Sequence, residues 1–285
     1  FDSGVAGWFY RRDYFEEAGI DTSKLSSITM DEYIELGKVL KEKTGKYMQA
    51  GDPYDGGLMR ILLQSAGIWY FDEKGEPNIA NNPALKEAVR IYKELNDSGI
   101  SKEVSGWNEW VAAFNEGDVA SVITGVWIVG SIKAEKTQSG KWGVLPIPRP
   151  NIPESLNASN LGGSSWYVLE NSENKDLAIN FMNQIYAKDV DFYQKILIDR
   201  GAVGTWLPAQ KGEAYSAGDP FFADQIIYVD FAKWIEMIPS VDYGLYTYEA
   251  DAAIMGVMPD VYSGKLSIEE ALKQAEDQLR NVIGR

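Results

Sequence analysis

The side chains that could carry chemistry in this sequence are acidic, aromatic and lysine side chains, because histidine and cysteine are both absent. Without histidine, the Ser-His-Asp and Cys-His nucleophiles, the H-E-x-x-H metalloproteases and imidazole proton shuttles are excluded. Without cysteine, thiolate zinc sites, Fe–S clusters, redox motifs and disulfides are excluded as well. What remains is carboxylate or lysine chemistry, the binding of hard metal ions, or binding without a covalent step.

The first candidate binding residue is Trp127, which follows an apolar run over residues 119–124 and then Gly125. The run predicts a β-strand, and ligands of open α/β sheets bind beyond the carboxyl ends of the strands. Trp127 would stand at that position, where its flat ring could cover the apolar face of a ligand. The alternative interpretation is that Trp127 fills the core.

A second candidate is the loop over residues 51–57, which lies between predicted helical segments. It carries Asp52, Tyr54 and Asp55 among three glycines. These residues would offer acceptors for hydroxyl groups together with an aromatic face. The alternative is an acidic surface turn, since Gly, Pro and Asp are the usual turn residues.

A third candidate is the pair Gly162 and Gly163, which directly precedes a predicted strand. Paired glycines allow a ligand to approach the backbone closely. The segment is not a phosphate-binding loop, because it lacks both the Walker lysine and the G-x-G-x-x-G spacing. The alternative is a hinge turn.

Three other patterns are interpreted as structural or uninformative. Trp107, Trp110 and Phe114 lie at helical spacing, and an aromatic stripe of this kind is typical of a core. The acidic segment 72–76 lacks the EF-hand pattern, so it predicts a hairpin turn rather than a calcium site. Paired carboxylates could serve a glycoside hydrolase, but the 42 Asp and Glu residues single out no pair.

The composition narrows the class of protein further. A chain of 285 residues predicts about two domains. The net charge of −15 disfavours binding to nucleic-acid phosphates or to an anionic membrane surface. No apolar run reaches the ~18 residues of a membrane span. Aromatic residues make up 12% of the chain, and their flat faces suit the apolar faces of sugar rings. We expect no cofactor and no metal.

Capping signals predict the helices that must position these residues. Thr29 and Ser267 each open a capping box, Asn82 precedes a proline, and Ser172 precedes an amphipathic segment. Short apolar runs predict strands at residues 8–10, 119–124, 142–145 and 166–169. Because helices and strands alternate, the order favours an α/β architecture with covered sheets.

Seven segments of the chain are similar, in sequence and in order, to segments of a known protein family: residues 8–20, 29–33, 113–120, 125–127, 142–146, 174–178 and 263–272. Each is degenerate alone, but the ordered set spans nearly the whole chain. Together they resemble the bacterial extracellular solute-binding proteins of ABC sugar importers, the maltose-binding-protein-like group. The resemblance implies the two-lobe periplasmic-binding-protein fold of type II, in which two α/β lobes joined by hinge segments close on a sugar.

The resemblance also implies roles for single residues. By position, Trp127 matches the tryptophan that stacks on a sugar ring in this family. Asp52 and Tyr54 match a carboxylate and an aromatic residue that bind the sugar. Gly162 and Gly163 resemble the crossover glycines that face the cleft.

Further residues match the family more loosely. Trp206 lies in a second return segment and is included among the ligand-binding residues. Tyr246 resembles part of an aromatic cluster that precedes the C-terminal helices, and Tyr243 and Tyr248 belong to the same stretch.

The resemblance divides the chain between the lobes, with the proline-rich segment 146–150 close to the internal boundary. Family members carry most of one lobe before the segment that corresponds to Phe1, so we expect the N-terminal portion of that lobe to be missing from this chain. No signal sequence is visible. The expected divisions are a hinge strand at 1–4, lobe 2 at 5–144, a return segment in lobe 1 at 145–197, and a second crossing with the C-terminal helices of lobe 2 at 198–285.

The function implied is extracytoplasmic binding of a mono- or oligosaccharide in an interlobe cleft, and delivery to the membrane permease of an ABC importer. No covalent chemistry is expected, and the full-length protein would be a monomer in the periplasm or lipid-anchored at the outer face of the cell membrane. One alternative is a carbohydrate-active hydrolase using paired carboxylates. Another is a protein-binding scaffold, which would leave Trp127 buried and no sugar-sized cleft.

Overall fold

A computed structural model describes residues 1–284 as strands and helices that alternate along the chain. The strands are β1 (Asp2–Arg11), β2 (Gln49–Gly51), β3 (Ser101–Glu103), β4 (Ser121–Gly125), β5 (Trp142–Leu145) and β6 (Asn160–Ser164). The helices are α1 (Arg12–Glu17), α2 (Met30–Thr44), α3 (Gly57–Ser65), α4 (Pro83–Asp97), α5 (Gly106–Asn115), α6 (Val129–Ile132), α7 (Lys175–Tyr186), α8 (Val190–Arg200), α9 (Glu213–Ser216), α10 (Ile227–Ile235), α11 (Thr247–Tyr262) and α12 (Ile268–Ile283). Short 3₁₀ turns include Val126–Ile128 and Leu207–Lys211.

The main sheet is built around β1. This strand pairs antiparallel with β4, β5 and β6, and the register sets Phe9 opposite both Val122 and Val144. β6 pairs with the first half of β1, where Asp2 lies opposite Ser164. A separate parallel pair joins β2 to β3. The carboxyl end of β4 and the start of β6 therefore meet beside the same central strand.

Successive side chains of β1 point to opposite faces of the sheet, so the strand contributes to two hydrophobic cores. Trp8 and Tyr10 point into one core, which is closed by α1–α4, α11 and α12. Val5 and Phe9 point into the other, where α5, α6, α8 and α10 pack. A strand covered on both faces is an almost continuous apolar run, because neither set of alternating side chains reaches solvent.

Three of the four predicted helix starts, at Thr29, Asn82 and Ser267, are confirmed. Thr29 accepts a hydrogen bond from the Glu32 amide while the Glu32 carboxylate accepts from the Thr29 amide, and Ser267 and Glu270 repeat this arrangement at α12. Asn82 caps α4 by accepting from the Leu85 amide. These local bonds satisfy backbone donors that no helical carbonyl can reach, so they can be predicted from sequence alone.

Most strand predictions are confirmed. The run 142–145 is β5, and 8–10 lies inside β1. The run 119–124 forms β4, although the strand begins at Ser121 and includes Gly125.

Two predictions around residues 166–175 are wrong. Residues 166–169 form no strand, and the strand of this region is β6, which ends at Ser164. Ser172 does not open a helix. Its Oγ accepts from the Asn174 amide at 3.2 Å, a local turn, and α7 begins at Lys175.

The division of the chain at residues 4, 144 and 197 stays a prediction. Within the described residues, α10 packs directly on the central strand, with the rings of Phe9 and Phe231 centred 5.9 Å apart. By contrast, α7 buries none of its side chains.

Candidate functional site

Trp127 lies in the 3₁₀ turn that directly follows β4. Its ring is half-buried, and Nε1 donates a hydrogen bond to the Leu161 carbonyl at 2.8 Å. A Cβ at Gly125 would lie 2.2 Å from Nε1, and one at Gly162 would lie 3.1 Å from it. Gly162 also has a φ of +96°. The two glycines therefore allow the indole to lie against the backbone where β4 and β6 meet.

Trp107 and Trp110 extend this aromatic surface. The Trp107 ring centroid is 5.9 Å from that of Trp127 and 5.5 Å from that of Trp110. Trp107 is 51% exposed, whereas Phe114 of the same helix is buried. The prediction that all three aromatic residues of α5 are core is therefore right for Phe114 and wrong for Trp107, whereas Trp110 is half-buried, packs against the core and also lines the cleft. Helical spacing groups them on one face, but only the C-terminal part of that face reaches the core.

The loop between β2 and α3 is held in place by two of its own carboxylates, which accept hydrogen bonds from backbone amides. Asp52 accepts from the Tyr54 amide at 2.9 Å through Oδ1 and from the Gly106 amide at 2.8 Å through Oδ2. Asp55 accepts from the Gly57 amide at 3.1 Å. Asp52 thus links the loop to the start of α5, directly before Trp107. The Tyr54 side chain stands clear of these bonds and is 69% exposed.

An ionic cluster lies beside the loop. Arg60 Nε of α3 is 3.0 Å from Asp251 Oδ2 of α11, and the Tyr70 hydroxyl donates to Asp251 Oδ1. Burial raises the pKa of Asp251 above its usual range and raises the pKa of Tyr70 as well. A Cβ at Gly56 would lie 3.1 Å from the Asp251 carboxylate, so the loop approaches α11 closely at this point.

These elements enclose a cleft with a volume of about 1170 Å³. Ligand pockets are typically about 300–1,000 Å³ with a few converging polar groups, so the cleft is slightly larger than a typical pocket. The side chains and backbone that line it include Asp52, Tyr54, Arg60, Glu103, Trp107, Trp110, Trp127 and Gly162. Sequence reasoning identified four of these residues and missed Arg60, Glu103 and the two tryptophans of α5.

Three predicted site residues do not line the cleft. Gly163 faces the backbone of β1, where a Cβ would lie 3.2 Å from the Asp2 carbonyl oxygen. Trp206 packs against Tyr193 with ring centroids 6.0 Å apart, because the 3₁₀ turn that follows it lies against α8. Tyr246 precedes α11 and is half-buried away from the cleft.

Within residues 1–284, no group of three or more acidic side chains is arranged to hold a metal ion. Over the same residues, none of the helices combines the length and hydropathy needed to cross a bilayer.

Two relatives of this chain are named for the sugars that they bind. The chain is 50% identical over 283 residues to the lactose-binding protein of Rhizobium radiobacter, and the match covers 99% of this chain and 67% of that protein. It is 25% identical over 190 residues to the arabinooligosaccharide-binding protein of Halalkalibacterium halodurans, which covers 65% of this chain and 42% of that one.

Solved structures share the fold. The ABC transporter associated binding protein of B. animalis subsp. lactis, in complex with β-1,6-galactobiose, has a TM-score of 0.82 at 21% identity over 99% of this chain and 72% of that one. The sugar-binding protein MalE of Xanthomonas citri has a TM-score of 0.79 at 18% identity over 99% and 69%. The predicted type II periplasmic-binding-protein fold is confirmed.

The family to which the chain belongs distinguishes a binding protein from an enzyme. The sequence profile described as "Bacterial extracellular solute-binding protein" matches residues 1–214. This is a family of binding proteins rather than enzymes, which confirms the prediction of binding without catalysis. The protein belongs to the bacterial extracellular solute-binding proteins.

Proposed function

We propose that the protein binds a neutral oligosaccharide, with lactose or a similar galactoside as the first candidate, in the cleft beside Trp127. It acts outside the cytoplasm and delivers the sugar unchanged to the membrane permease of an ABC importer. It works as a monomer in the periplasm or attached by a lipid to the outer face of the membrane. The choice of a galactoside rests on the relative that is 50% identical.

The observation that carries the proposal is the aromatic wall formed by Trp107, Trp110 and Trp127. Trp107 and Trp127 lie with ring centroids 5.9 Å apart and an interplanar angle of 35°, and both line the cleft. Aromatic faces bury the apolar C–H faces of a sugar ring, and two faces suit a ligand with more than one ring.

Polar groups around this wall suit the hydroxyls of a sugar. The Asp52 carboxylate is held by backbone amides and keeps spare lone pairs, and Glu103 and Arg60 line the same cleft. A largely apolar site with a few fixed polar groups is the usual design for a small ligand. Closure of two lobes would then exclude water from these contacts.

The alternatives fit less well. A hydrolase is disfavoured because the family consists of binding proteins. A protein-binding scaffold would bury Trp127 in a core, whereas Trp127 is half-buried and lines a cleft large enough for an oligosaccharide.

Calorimetric titration of the purified protein with lactose, β-1,6-galactobiose, an arabinooligosaccharide and maltose tests the proposal. We expect saturable binding, tightest for a galactoside, and recovery of the sugar intact when the bound fraction is analysed. Absence of binding to every sugar in this panel, or release of a cleaved sugar, would overturn the proposal.

A further inference from the structure

Most of the hydrogen-bond donors of Arg60, which lines the cleft, have no partner within the described part of the protein. Its Nε lies 3.0 Å from Asp251 Oδ2, but the N–H is not aligned with any acceptor, so the contact is ionic. Within residues 1–284, the terminal nitrogens Nη1 and Nη2 have no protein acceptor and are left to solvent. The side chain is 24% exposed and lines the cleft.

The guanidinium is nevertheless held in a defined place. Asp251 on α11 pairs with it and is itself fixed by the Tyr70 hydroxyl. The Tyr248 ring lies on another side, with its centroid 5.9 Å from the guanidinium carbon. An arginine whose planar donors are already oriented loses little conformational entropy when it binds an acceptor.

Donors left to solvent at a partly buried cation are free to bind an acceptor that arrives with the ligand. A guanidinium carries five N–H donors, and leaving such donors unpaired in a closed site costs free energy. The acceptor is a neutral oxygen rather than an anionic group. Asp251 already balances the charge of Arg60, and Asp52, Asp55 and Glu103 add negative charge to the same cleft.

We infer that Arg60 binds the ligand directly, with its terminal guanidinium nitrogens donating to hydroxyl or ring oxygens of a neutral sugar. The inference rests on the proposed carbohydrate function and adds a residue that determines specificity. Asp251 is a positioning residue, since it holds the guanidinium without facing the ligand itself.

The test pairs protein variants with modified ligands. Binding of lactose and of a set of monodeoxy-lactoses is measured by calorimetry for the wild type, Arg60→Ala and Arg60→Lys. Arg90→Ala is the matched control, because Arg90 also lies on a helix and pairs with carboxylates but does not line the cleft. Thermal unfolding of each protein reports whether the fold is intact.

We expect Arg60→Ala to weaken lactose binding about 10- to 100-fold, the range for hydrogen bonds to a charged group. We expect Arg60→Lys to recover only part of this loss, because it keeps the charge but not the planar fork. At least one monodeoxy-lactose should bind the wild type correspondingly weakly, yet lose little or nothing further in Arg60→Ala. Such non-additivity identifies the sugar oxygen that Arg60 contacts.

A structural role for Arg60 would give the opposite pattern. Every deoxy-sugar would then lose affinity by the same factor in Arg60→Ala as in the wild type, and this additivity would overturn the inference. Equal affinities of Arg60→Ala and Arg90→Ala would overturn it too. If Arg60→Ala does not fold, the same comparison is made with Arg60→Lys. A wild-type protein that binds no sugar would instead refute the proposed function.

Discussion

Two exposed apolar surfaces of this protein differ in what surrounds them. The cleft wall of Trp107, Trp110 and Trp127 is bordered by carboxylates, by Arg60 and by backbone held at fixed positions. The second surface, here called the α7 face, also exposes large side chains. They are Trp166, Tyr167, Leu169, Leu177 and Phe181, with exposures from 53% to 84%.

The two surfaces differ in the polar groups that surround the aromatic rings, not in the aromatic rings themselves. The α7 face encloses a shallow cavity of about 350 Å³ lined mainly by apolar side chains, and Trp166 stacks there on Tyr186 at 5.7 Å. A sugar needs partners for its hydroxyls as well as a flat face, so only the cleft wall meets both needs.

The largest expected contrast is in stability. Leu272 of α12 is fully buried, whereas Phe181 of α7 is 58% exposed. We expect Leu272→Ala to lower the free energy of unfolding by about 2–5 kcal/mol, because it leaves a cavity. We expect Phe181→Ala to change it by less than about 0.5 kcal/mol, as is usual for exposed sites. Urea unfolding measures both. A large loss for Phe181→Ala would mean that the α7 face is covered in solution.

This contrast shows what the sequence can and cannot predict. α7 and α12 both carry apolar side chains at helical spacing, and the start of α12 follows from Ser267 and Glu270 alone. The pattern predicts which face a helix can bury, but it does not predict whether another element lies against that face. Tertiary packing decides this, and it lies outside the local signals in a sequence.

The cleft shows the same limit. Trp127 and the Asp52 loop were predicted from a strand end and a glycine-rich turn, since both signals are local. Trp107 was assigned to the core because helical spacing does not say where the core ends. Arg60 was missed because its partner Asp251 is almost two hundred residues away in the chain, and no local pattern joins them.

The second prediction contrasts the two aromatic surfaces in binding. We expect Trp127→Ala to weaken sugar binding at least about tenfold, equivalent to about 1.4 kcal/mol, because the stacking face is lost. Trp166→Ala removes a comparable ring from the α7 face, and we expect unchanged affinity. Calorimetric titration with lactose measures both. If Trp127→Ala unfolds much earlier but binds normally once folded, the residue serves the core and not the ligand.

The third prediction concerns how much the hydrogen bonds of Glu276, on α12, contribute to the free energy of unfolding. Burial acts to raise the pKa of Glu276, but hydrogen bonds from the Ala80 and Ile79 amides and from Arg280 lower it below the ordinary 4.5. A lowered pKa in the folded state contributes stability above pH 4.5, and this contribution is lost as the pH falls through the folded-state value. We expect Glu276→Gln to lower the free energy of unfolding by about 1 kcal/mol at pH 7 and by progressively less below pH 4.5.

The control for this prediction lies near α7. Glu170 pairs with Lys175, but its side chain is 99% exposed, and exposed ion pairs contribute little. Unfolding of Glu170→Gln should match that of the wild type at every pH. A loss for Glu276→Gln that stays constant from pH 7 to pH 3 would contradict the electrostatic explanation and would indicate a packing effect.

The smallest expected effect is at Tyr54, at the rim of the cleft. Its ring is 69% exposed, and the loop is held by the hydrogen bond from the Tyr54 amide to Asp52, which does not involve the ring. Tyr54→Ala should therefore leave the melting temperature unchanged. We expect it to weaken sugar binding about two- to tenfold, which corresponds to the roughly 0.5–1.5 kcal/mol of a single aromatic contact. Tyr54→Phe keeps the ring, so near wild-type affinity in that variant would assign the contact to the aromatic face rather than to the hydroxyl.

Tyr167→Ala, at an exposed tyrosine of the α7 face, is the matched control and should bind sugar normally. Equal affinities of Tyr54→Ala and Tyr167→Ala would show that the ligand lies deeper, against the tryptophans, and does not reach the rim.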